Sequence, residues 1–160
     1  AAWKKLILKN TCEENSMETN AWITLSGRQT VDGEDDNFEL TTAGRYLKRD
    51  GRFYVSYEGS EITGYDNTTT TLKIKDDYVS MIRFENGGGA SQMVFEANKQ
   101  YTGIYRTPYG SISVDVYTNE MRVDVDDSGG EVELDYFVQL NDSDPVRNSL
   151  HVYIRKVENQ

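Results

Sequence analysis

The chain has 160 residues, enough for one domain that buries about 70% of the surface its unfolded form exposes. Its 27 acidic and 17 basic residues leave a formal net charge of −10, a sign that repels phosphate backbones and anionic headgroups. Nucleic acid and membrane surfaces are therefore excluded as expected partners, and two prolines among eleven tyrosines exclude a disordered, linker-rich chain.

The single cysteine, Cys12, has no internal disulfide partner, which suits a reducing compartment. Leu6-Ile7-Leu8, the longest apolar run near the start, is far short of the ~7–15 residues of a signal core or the ~20 of a membrane span. The expected location is the cytoplasm.

Residues 1–20 read as an N-terminal extension with no legible element, and 21–160 as one domain. Ala21 to Val31 alternates, with Ile23, Leu25 and Gly27 opposite Trp22, Thr24 and Ser26, as a half-buried strand must. Asp32-Gly-Glu-Asp-Asp-Asn37 reads as an acidic turn, and the next strand begins at Phe38. Arg49-Asp50-Gly51 predicts a hairpin, because Asp-Gly supplies the positive φ angles that a two-residue loop needs.

Phe53, Val55 and Tyr57 alternate beyond that turn, Thr68 to Lys75 is a β-branched strand, and Asp76-Asp77 turns into Tyr78 to Phe84. Gln92 to Glu96 follows a glycine run. Tyr101, Gly103, Tyr105 and Thr107 then share a face, and Ile112, Val114, Val116 and Thr118 share a face of the returning strand. Between them Pro108-Tyr109-Gly110 forms a tight corner: proline presets φ, glycine permits φ > 0, and the tyrosine is left exposed.

Asn119-Glu120 reads as a turn before Met121, Val123 and Val125, and Asp127 to Gly130 as a hairpin loop before Val132, Leu134, Tyr136 and Val138. A loop over 141–148 precedes Leu150, Val152 and Ile154. No helical period of useful length occurs. Short loops between successive strands describe an all-β chain, and a single antiparallel up-and-down barrel of about 8–10 strands is favoured over a two-sheet sandwich, since closing so wide a sheet hides its edges.

Five blocks carry a resemblance: Leu40-Thr-Thr-Ala-Gly44, Tyr54-Val-Ser-Tyr-Glu58, Arg83, Tyr105-Arg-Thr-Pro-Tyr-Gly110 with Val116-Tyr-Thr118, and Val132-Glu-Leu-Asp-Tyr136. Spread over Ala21 to Val157, they resemble the YwiB-like family of bacterial proteins (domain of unknown function 1934). The resemblance implies a lipocalin- or calycin-like barrel. It implies no activity, because none is established for that family.

Arg83 shares a face with Val79 and Met81, so alternation points its guanidinium into the barrel. A buried arginine needs a counter-charge, supplied either by Glu58 or Glu61 or by a ligand carboxylate held by the planar fork. Tyr57, Tyr105 and Tyr136 offer apolar walls with hydroxyls, or simply core packing. Thr107 and Thr118 read as hydrogen-bonding across their hairpin.

The expectation is a non-catalytic barrel holding one small apolar or amphipathic ligand, with Tyr57, Glu58, Arg83, Tyr105, Thr107, Tyr109 and Tyr136 as its ligand-binding residues. The alternative is a filled barrel that docks a protein, or a second copy of itself, through the Pro108-Tyr109-Gly110 corner. No catalytic residue, cofactor or metal is expected. His151 has no nucleophile or carboxylate motif beside it in sequence, Cys12 is flanked by Glu13 and Glu14, and one His with one Cys excludes the usual zinc sets within one chain. Asp124, Asp126 and Asp127 lack the bidentate glutamate of a calcium loop.

Overall fold

The computed structural model describes residues 19–59, 68–85 and 88–157. Cys12, Glu61 and Gly87 lie outside them. The described residues form β1 (Ala21–Val31), β2 (Glu34–Arg49), β3 (Arg52–Glu58), β4 (Thr68–Lys75) and β5 (Tyr78–Glu85). They continue as β6 (Ala90–Phe95), β7 (Gln100–Thr107), β8 (Gly110–Asp126), β9 (Gly129–Leu140) and β10 (Val146–Lys156). Each strand pairs antiparallel with its neighbours in sequence, and β1 pairs with β10 to close the sheet. The result is the closed up-and-down barrel that the alternation describes, consistent with the lipocalin-like form that the resemblance implies. Among the described residues no helix is long and apolar enough to cross a membrane.

Period-two burial explains why these segments are strands. In β4, Thr68, Thr70, Leu72 and Ile74 are buried while the residues between them are half-exposed. The register carries this inward row around the barrel: Val55 faces Leu72, Leu72 faces Met81, and Met81 faces Met93. A slip of one residue at any seam would turn that row into solvent.

One end of the barrel is plugged. Tyr46, Ile74, Val79, Phe95, Val132 and Ile154 are almost wholly removed from solvent there. Tyr46 stacks on Phe53 with ring centroids 5.4 Å apart, and its hydroxyl donates to the Asp126 carbonyl at 2.7 Å, tying β2 to the end of β8. The Asn20 side chain completes the closure. Its amide nitrogen donates to the Tyr46 carbonyl at 2.8 Å, and its oxygen accepts the Tyr46 N–H at 2.7 Å.

Two local readings of the sequence need correction. The acidic stretch after Val31 is not one long turn: only Asp32 and Gly33 turn, and Glu34 to Asn37 extend β2 against β1. Cross-strand bonds hold these polar residues in a ladder, with Thr30 Oγ1 donating to Asp35 at 2.6 Å and Arg28 Nε to Asn37 at 3.2 Å. Asn119-Glu120 is not a turn either. Strand β8 runs unbroken from Gly110 to Asp126, with a bulge between Thr118 and Glu120. One extra residue there reverses the alternation, which is how Thr118 and Met121, three apart, both fall on the inward row.

Candidate functional site

At the end opposite the plug, the inward rows do not meet. Turns β1–β2, β7–β8 and β9–β10 lie at this end, and between the rows is a cavity of about 550 Å³. Its apolar walls include Leu25, Phe38, Met93, Val114, Val138 and Leu150. Phe38 reaches its place because its cross-strand partner is Gly27: a Cβ at Gly27 would stand 2.4 Å from the Phe38 ring. Glycine here leaves room for an aromatic ring to lie across the backbone of β1.

One wall is polar. Arg83 pairs in register with Thr70, and its Nε donates to Thr70 Oγ1 at 3.4 Å. Glu85 follows two residues later on the same inward row and accepts a hydrogen bond from the Tyr105 hydroxyl. That bond spans from β5 to β7 over the top of β6, where β6 and β7 share the single register pair Ala90 with Arg106. Gln29, Asp36 and Asn148 face the cavity from the other side. The arrangement combines apolar surface for burial with a few oriented donors and acceptors, the composition of small-molecule sites.

The residues expected to bind a ligand divide into two groups. Tyr57, Arg83, Tyr105 and Tyr136 line the cavity. Glu58, Thr107 and Tyr109 do not. Glu58 follows inward Tyr57 and so falls on the exposed outer face, which removes it as the counter-charge inside the barrel. Thr107 is occupied by its own turn: its hydroxyl donates to the Gly110 carbonyl at 2.8 Å and accepts the Tyr109 N–H at 3.1 Å. Tyr109 stands at the tip of the corner, 99% exposed, and Gly110 adopts φ +129° behind it.

Residues 23–152 match the family described as Domain of unknown function (DUF1934). The chain belongs to this family. Among solved structures it is similar to the crystal structure of the ywiB protein from Bacillus subtilis, with 16% identity and a TM-score of 0.71 over 88% of this chain and 94% of that one. At that identity the likeness shows the fold alone. No curated protein matches the chain.

Family membership therefore supplies the barrel, and the chemistry rests on the cavity's own residues. Glu85 is the side chain that the sequence reading missed. It was within reach, because extending the Val79, Met81, Arg83 alternation by one step places Glu85 inside. Thr70 and Met93 were hidden differently, since only the strand register brings them beside Arg83 and Met81. One other reading is corrected by geometry, and another agrees with it. Thr118 Oγ1 is buried without a hydrogen-bond partner rather than bonded across its hairpin. The aspartates near Gly129 serve their turn: Asp126 Oδ1 accepts both the backbone N–H and the hydroxyl of Ser128, at 2.8 and 2.6 Å, which holds its carboxyl below the usual range.

Proposed function

We propose that this protein is a non-catalytic binding barrel that holds one small amphipathic molecule in the open half of its interior. The observation that carries this reading is the unfilled volume of about 550 Å³, which lies within the roughly 300–1,000 Å³ typical of small-molecule sites. A ligand's apolar portion would lie against Phe38, Met93, Val114 and Val138, and its polar group against the Thr70, Arg83, Glu85 and Tyr105 wall. Nothing in that wall pairs a nucleophile with a base, so the reading involves binding and not turnover. A barrel filled to the brim was the premise of the docking alternative, and the cavity weighs against that version of it.

The test uses a fluorescent amphipathic probe, 1-anilinonaphthalene-8-sulfonate, with the protein and with Val138→Trp, which fills the cavity from β9. Stoichiometric probe binding that Val138→Trp weakens by about tenfold or more, equivalent to ~1.4 kcal/mol, supports the reading. Absent binding, or binding that Val138→Trp leaves unchanged while the variant remains folded, overturns it.

A further inference from the structure

On the outer wall, away from the cavity, β8, β9 and β10 bring together a set of groups that are scattered in sequence. Glu133 on β9 pairs in register with Arg122 on β8 and with His151 on β10, so these three form a row across the sheet. Glu131 stands two residues earlier on the same outward face. Arg122 holds the two carboxylates side by side. Its Nε donates to Glu133 Oε2 at 3.1 Å and its Nη2 to Glu131 Oε2 at 2.9 Å. Each glutamate thus has one oxygen committed to arginine, and its other oxygen, Oε1, turned toward His151.

His151 Nε2 lies 3.5 Å from Glu131 Oε1 and 3.9 Å from Glu133 Oε1. It is shut off from solvent and has no hydrogen-bond partner. The ring nitrogen faces two carboxylate oxygens at ion-pair distance with a hydrogen bond to neither, so a polar atom removed from water is left without one. From these observations we propose that Glu131, Glu133 and His151 form a surface site for a divalent cation of the zinc class.

The distances fit such an ion. Bonds of about 2.1 Å in tetrahedral geometry place neighbouring ligand atoms about 3.4 Å apart. The three candidate ligand atoms lie within 4.8 Å of one another, so modest side-chain rotation brings all three onto one ion, and water takes the fourth position. Both glutamate side chains are partly exposed, at 34% and 48%, so they can part to admit it. One imidazole with two carboxylates suits zinc and its transition-metal neighbours, whereas calcium seeks six to eight oxygens and magnesium an octahedron.

Arg122 would act from behind the ligands, orienting each carboxylate through the oxygen that the metal does not use. With Arg122 counted, the two carboxylates leave one negative charge for the ion to offset.

The experiment is a titration with zinc chloride alone, followed by calorimetry, on untagged full-length protein carrying Cys12→Ser so that the thiol cannot compete. Cobalt chloride provides a second readout, since a tetrahedral site with an imidazole nitrogen produces visible absorption bands. One equivalent should bind, and His151→Gln and Glu133→Gln should each weaken binding by about tenfold or more while melting like the parent without metal. Asp144→Asn, in the β9–β10 loop, should bind like the parent. If zinc produces no saturable signal, or if binding survives His151→Gln, the three groups are an ion-pair network and the proposal falls.

Discussion

The two ends of this barrel are built from the same strands and behave as opposites. On β5, Val79 and Met81 are buried, and the row continues to half-exposed Arg83 and Glu85. On β6 the row starts at half-exposed Ser91 and Met93 and ends at buried Phe95. On β10 it passes from half-exposed Asn148 to buried Leu150, Val152 and Ile154. Each inward row is apolar and tightly packed toward one end and mixed toward the other. The lesson is a division of labour along the strand axis. One half supplies the buried area that keeps the sheet closed, and the other is released from filling space.

The sharpest way to break this comparison is to truncate one residue from each half of the same strand. Phe95 is fully buried and packs edge-on against Tyr136, with centroids 4.7 Å apart. Phe95→Ala should cost about 3–5 kcal/mol in urea unfolding, the range for a large buried ring. Met93, two residues earlier, borders the cavity, so its side chain has fewer neighbours to lose. Met93→Ala should cost only about 1 kcal/mol. Equal costs would mean that the open half is packed as tightly as the plug.

A smaller effect tests what holds the plugged end shut. Asn20→Ala removes both side-chain bonds to the Tyr46 backbone and leaves that N–H without a partner. A loss of about 2 kcal/mol is expected, since each bond is worth roughly 0.5–1.5 kcal/mol and the orphaned donor adds to the cost. A loss below about 0.5 kcal/mol would show that stacking and burial alone close this end.

Tyr46→Phe should cost about 1 kcal/mol at neutral pH, the value of one hydrogen bond. Its signature is pH-dependent. Burial first, and then the charges of Asp126 and Asp127, push the Tyr46 phenol well above the usual tyrosine range. The unfolded phenol loses its proton near pH ~10, while the folded one keeps it to higher pH, so this contribution is complete below pH ~10 and is lost as pH rises above it. Melts from pH 7 to pH 11 should therefore show the gap between parent and Tyr46→Phe closing above pH ~10. A gap that stays constant would place the phenol in water.

Much of this contrast could be read in the chain. Strict alternation in β4 and around Tyr105 predicts which side chains point inward, and the Asp50-Gly51 turn adopts the positive φ angles of 54° and 76° that its residues favour. Alternation reports direction, however, and not depth. Nothing in a row such as Val79, Met81, Arg83, Glu85 states where along the axis the facing rows stop touching. That depends on register between strands far apart in sequence, such as Ala21 opposite Lys156. The same limit hid the outer-wall cluster. His151 sits eighteen residues beyond Glu133 in sequence, and only the β9–β10 pairing makes them neighbours.

The smallest expected effect comes from the most conspicuous side chain. Tyr109 lies at the open end, two residues from Thr107, which holds the turn by its own hydroxyl. An aromatic ring 99% exposed buries no area on folding, so Tyr109→Ala should change unfolding free energy by less than about 0.5 kcal/mol. The turn itself relies on Pro108 and Gly110 and needs nothing from the ring. Cavity binding of the fluorescent probe should also be unchanged, because Tyr109 does not line the cavity. A stability loss above about 1 kcal/mol would mean that the ring folds back onto the barrel, and weaker probe binding would make the corner part of the mouth. If sedimentation reveals a dimer that Tyr109→Ala dissociates, the exposed ring is an anchor between copies, and the open end has a second use beside its cavity.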